Sequence, residues 1–68
     1  MTLQVEFEQE KDGRWLADVI SLPGTMAYGE TRDEALTAAQ ALAFRVIADR
    51  VEHRELPRPD KVEFSYSL

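Results

Sequence analysis

Between Leu22 and Leu36 the chain reads LPGTMAYGETRDEAL, and these fifteen residues restrict its fold more than any other stretch. Pro23 holds φ at about −65° and Gly24 accepts positive φ, so Leu22 to Thr25 predicts a type II turn. A short strand is expected over Thr25–Tyr28, closed by Gly29. Thr31 then precedes Glu34 by three positions, the spacing of a capping box. In that motif the Glu34 amide donates to the Thr31 hydroxyl, and the Glu34 carboxylate accepts from the Thr31 amide. Arg32, Asp33 and Glu34 open a helix, with two acids where the helix dipole favours negative charge. Pro23, Gly24, Gly29, Thr31 and Glu34 are thus the structural motif of the chain.

The flanks supply what this stretch joins. Leu3, Val5 and Phe7 alternate with Gln4, Glu6 and Glu8, a period of two that predicts a half-buried strand. Lys11-Asp12-Gly13-Arg14 reads as a hairpin turn, with Gly13 at positive φ. Trp15 to Ile20 returns as a second strand, with Trp15, Ala17 and Val19 on one face and Leu16, Asp18 and Ile20 on the other. Both faces are largely apolar, which places this strand centrally or beneath a second covering element. From Arg32 to about His53 no Gly or Pro interrupts an alanine-rich helix. Its expected buried stripe is Ala35, Ala39, Leu42, Ala43 and Val46, flanked by Leu36 and Ile47. Leu56-Pro57-Arg58-Pro59 breaks the helix, and Val62, Phe64, Tyr66 and Leu68 alternate with polar residues in a last strand.

The expected fold is therefore α+β, β-β-β-α-β, a single domain over residues 1–68. A right-handed crossover puts the fourth strand beside the first and parallel to it, giving a mixed sheet of order 3-2-1-4 with the helix on one face. A chain of 68 residues buries only about 60% of its unfolded surface, so association would help it. Phe44 and Val51 fall beside the helical stripe. With Phe64 and Tyr66 of the last strand they are the candidate contact of a homo-oligomer, a dimer or higher.

Charge narrows the partners. The formal net charge is −5, and residues 1–20 carry five acids against two cations, a local balance of −3. Nucleic acid and anionic membrane share that sign; a basic protein would be steered toward it. There is no cysteine, hence no disulfide, thiol nucleophile or thiolate metal site. No signal peptide or apolar run of membrane-spanning length is visible, and the expectation is a cytoplasmic protein.

Leu22-Pro23-Gly24, then Tyr28-Gly29-Glu30-Thr31, then Glu34-Ala35-Leu36 resembles the signature of the HicB-like antitoxin domain. That signature reads roughly LPGC-x-x-[YWH]-G-[DE]-T-x-x-EA. Order and spacing agree without gaps, with Thr25 at the position of the cysteine. Lys11-Asp12-Gly13 before Trp15 matches the family's first hairpin, and the resemblance extends over residues 3 to 66. It implies a truncated ribonuclease-H-like fold. It also implies a binding role, neutralising a small basic ribonuclease toxin of the HicA type by stoichiometric docking. Complete antitoxins of this family append a DNA-binding domain. This chain stops at Leu68, directly after the last strand, so direct DNA binding is not expected.

Two further readings of the same residues stay open. Glu6, Glu8 and Asp18 share a sheet face, where three carboxylates could bind Mg²⁺ in a nuclease remnant. Solvated acids on a polar strand face are the commoner cause of such a pattern. The other is a stand-alone homo-oligomer of separate binding role. Glu6, Glu8, Asp18 and Tyr28 are the candidate partner-binding residues; Tyr28 reads equally as an aromatic anchor and as core or rim packing of the sheet, and Trp15 as packing. His53, the only histidine, suits a helix C-terminus, where the dipole favours its charged form. No catalytic residue, metal ligand or cofactor is expected.

Overall fold

The computed structural model describes residues 1–67 and arranges them as β1 (Thr2–Gln9), β2 (Trp15–Val19), β3 (Met26–Gly29), α1 (Arg32–Glu52) and β4 (Glu63–Ser65). The sheet order is β3-β2-β1-β4, with β1–β2 and β2–β3 antiparallel and β1–β4 parallel, as the crossover argument requires. The first hairpin closes with Gly13 at φ 94°, its amide donating to the Glu10 carbonyl at 3.0 Å. The Pro-Gly turn forms as expected: Gly24 sits at φ 87°, and the Thr25 amide donates to the Leu22 carbonyl at 3.0 Å.

Alternation along β1 sends Leu3, Val5 and Phe7 toward α1, where they meet Ala17 and Val19 of β2 and the buried Leu22. The helix contributes Ala35, Ala39, Ala43 and Ile47. Those four lie on one i, i+4 ridge, so the buried stripe is straighter than expected. Ile47 moves from flank to core, while Leu42 and Val46 are only half-buried. Three successive alanines on that ridge let the helix backbone settle close to the sheet.

The junction between β3 and α1 differs in two details from the expected capping box. Thr31 is the N-cap, and its Oγ1 accepts from the Glu34 amide at 3.0 Å. The Glu34 carboxylate, however, accepts from the Glu30 amide at 3.0 Å rather than from that of Thr31. Gly29 is also more than a break in the strand. A Cβ there would lie 2.4 Å from the Ala35 nitrogen and 2.8 Å from the Glu34 carbonyl carbon, so its bare Cα is what admits the helix start.

Other boundaries shift slightly. β2 ends at Val19, with Ile20 already in the turn, and β3 runs one residue later than expected. The helix stops before the prolines: Arg54 adopts φ 60°, and the Glu55 amide donates back to the Arg50 carbonyl at 2.7 Å. This is a Schellman-type ending with arginine where glycine is the usual residue. β4 pairs over Thr2↔Glu63, Leu3↔Phe64 and Gln4↔Ser65 only. Tyr66 therefore lies beyond the strand, and Leu68 lies outside the described residues.

Candidate functional site

Because α1 covers one side of the sheet, the even positions of β1 and β2 are left on an uncovered side. Glu6 stands opposite Asp18, which stands opposite Met26; Glu8 stands opposite Leu16, which stands opposite Tyr28. All four candidate partner-binding residues, Glu6, Glu8, Asp18 and Tyr28, thus fall on two adjacent cross-strand rows of one face. A dent of about 90 Å³ lies between Glu6, Glu8, Leu16 and Asp18. The apolar members of the face on β3 are unusually open for their type: Met26 is 43% exposed and Tyr28 49%, while Ile20, in the turn after β2, is 42% exposed. The β2 outer face was expected to be apolar; no second layer among the described residues covers it, and Met26 adds to it from β3.

Tyr28 is held from the hairpin side. Its hydroxyl donates to Glu10 Oε1 at 3.2 Å, and the Arg14 guanidinium lies 4.7 Å from its ring centroid. Asp12 in turn anchors Arg14, accepting from its backbone amide at 3.1 Å and from its Nε at 2.8 Å. The hydrogen bond to Glu10, and then the charge of that carboxylate, push the Tyr28 phenol above its ordinary pKa. Asp12 is held below the ordinary carboxylate value, first by the Arg14 amide and next by the Arg14 side chain. The ring is a pre-positioned apolar plate rather than a loose side chain.

The three carboxylates are in register but do not gather into a chelating group. Glu6 has Asp18 as its cross-strand neighbour, but Glu8 faces Leu16. Among the described residues, the only set of three candidate ligand atoms within 4.8 Å of one another belongs to Asp49, His53 and Glu55, away from this face.

The candidate oligomer contacts divide. Val51 and Phe64 are half-buried against the core, whereas Phe44 is 51% exposed and Tyr66 40%. Phe44 rests edge-on against Phe64 at 5.5 Å between centroids, and Tyr66 against Phe7 at 6.0 Å. Trp15 packs toward the core as expected, with the Arg32 guanidinium 5.8 Å from its ring and 4.5 Å from that of Phe7. The role of Arg32 was not foreseen from the sequence, because its partners come from two distant strands. No helix among the described residues is long and apolar enough to cross a membrane. Comparisons with protein-family models, curated proteins and solved structures find no match to this chain.

Proposed function

We propose that this protein is a HicB-like binding module that captures a small basic protein, of the HicA ribonuclease-toxin type, on the uncovered side of its sheet. The observation that carries the reading is the placement of Glu6, Glu8 and Asp18 beside the exposed apolar side chains of Met26 and Tyr28, with Leu16 between Glu8 and Tyr28. Acids without apolar neighbours would suit solvent alone. An apolar strip edged by acids suits a partner that is both cationic and partly apolar. The order β-β-β-α-β and the motif at residues 22–36 agree with a truncated ribonuclease-H-like domain of that family. Action would be stoichiometric masking without turnover.

The partner to test is a basic protein of roughly 60–80 residues, the size of a double-stranded-RNA-binding domain, encoded in a neighbouring reading frame. Calorimetry should give 1:1 binding that weakens at least tenfold in the double variant Glu6→Lys/Glu8→Lys and with added salt. Equal affinity for wild type and the charge-reversed variant would rule out this face as the docking surface. A second reading, a stand-alone homo-oligomer, draws on the exposed Phe44 and Tyr66. Light scattering that shows only monomer at micromolar concentration would remove it.

A further inference from the structure

The last turn of α1 carries a group of side chains that the binding role does not use. Asp49 and His53 are one helical turn apart, and His53 Nδ1 lies 3.3 Å from Asp49 Oδ1. Glu55 follows two residues later, and its carboxylate joins the other two ligand atoms within 4.8 Å. It reaches them because Arg54, at φ 60°, reverses the chain over the helix end. We propose that Asp49, His53 and Glu55 form a surface site for a divalent transition-metal ion of the zinc class.

The donor set favours that class. One imidazole with two carboxylates suits zinc, nickel or copper, whereas magnesium and calcium prefer oxygen alone. Ligand atoms on a tetrahedral zinc with bonds of about 2.0–2.1 Å stand about 3.4 Å apart. The Asp49–His53 separation of 3.3 Å already matches that edge. Two carboxylates balance the charge of a dication, and the carbonyl end of the helix adds partial negative charge. A simple ion pair accounts for Asp49 and His53 but makes no use of Glu55. Nδ1 also lies 2.8 Å from the Asp49 carbonyl as a hydrogen-bond donor. On binding it gives up that hydrogen bond, its lone pair turns to the metal, and the proton moves to Nε2 or leaves to solvent. Three protein ligands leave a fourth position to water. All three residues are exposed, so the ion enters without desolvating a cavity. The site ties the helix end to the segment that leads into β4.

The chain has one histidine and no cysteine, so binding that needs imidazole has a single address. The test is calorimetric titration of the tag-free protein with zinc chloride at about pH 7.5, with amide NMR spectra recorded alongside. The expected result is one ion per chain with a Kd on the order of 10 µM, weaker than buried structural zinc sites. Amide shifts should centre on residues 49–55. His53→Gln and Glu55→Gln should each weaken binding at least tenfold, and millimolar magnesium should not compete. Absence of binding up to about 1 mM zinc would overturn the proposal. So would unchanged affinity in both Glu55→Gln and Asp49→Asn, which would reduce the site to a lone surface histidine.

Discussion

Gly29 shows how a single missing side chain can set the architecture. The backbone of Ala35 passes so close that an added methyl group would sit 2.4 Å from its nitrogen, and neither neighbour can swing aside as a flexible side chain could. Gly29→Ala should therefore destabilise the fold by about 3 kcal/mol in denaturant unfolding, the upper end for overpacking. Arg54 is the opposite case, a bulky residue at φ 60° where glycine has no steric penalty. Arg54→Gly should stabilise by about 0.5–1 kcal/mol, the backbone relief outweighing the greater freedom of glycine in the unfolded chain. Tyr28 gives a test of the clamp on the uncovered face. Its phenol pKa lies above 10.0 because Glu10 accepts its hydrogen bond and opposes the phenolate. A raised acid pKa means that the folded state favours the neutral phenol. The resulting stability is complete below pH 10.0 and fades as pH rises from there through the folded-state value. Phenolate absorbance in a Tyr66→Phe background should show Glu10→Gln moving the Tyr28 titration back down toward 10.0.

At the scale of elements, the alanine ridge of α1 decides how closely helix and sheet approach. Ala35, Ala39 and Ala43 have no exposed surface, whereas Ala41 points to solvent. Ala39→Leu should cost about 1–3 kcal/mol in unfolding free energy, and Ala41→Leu should stay within about 0.5 kcal/mol of wild type. The elements themselves were legible because their signals are local: alternation in β1, positive φ at Gly24, and a threonine three residues before Glu34. The strand order followed from the handedness of crossovers applied to those elements. What escaped depends on distance through space. The helix meets the sheet along Ala35, Ala39, Ala43 and Ile47, so Ile47, not Leu42, fills the core. The Glu34 carboxylate takes the Glu30 amide rather than that of Thr31, a choice that the spacing alone does not make. The helix ends where its expected bound near His53 puts it, but the reversal at Arg54 that closes it is set by backbone conformation. No local pattern in the sequence announces that reversal, and so none brings Glu55 to His53.

For the whole molecule, one layer of helix on one side of a four-stranded sheet leaves the other side available. Glu6 and Glu8 could be assigned to that side from alternation along β1, since parity fixes the face of each residue within a strand; Asp18 and Tyr28 join them only through the β1–β2 and β2–β3 registers. The apolar company they keep could not be so assigned, because Met26 meets Asp18 only through the β2–β3 register. With a net charge of −5, the molecule as a whole attracts cations, and the apolar strip is what would turn attraction into a defined complex. Amide chemical-shift mapping during titration with a small basic protein of the proposed class, should a neighbouring reading frame encode one, tests this most directly. The account predicts shifts concentrated at Glu6, Glu8, Leu16, Asp18, Met26 and Tyr28, with the outer side of α1 around Phe44 unchanged. Shifts centred on Phe44 and Tyr66, with β1 and β2 silent, would contradict it.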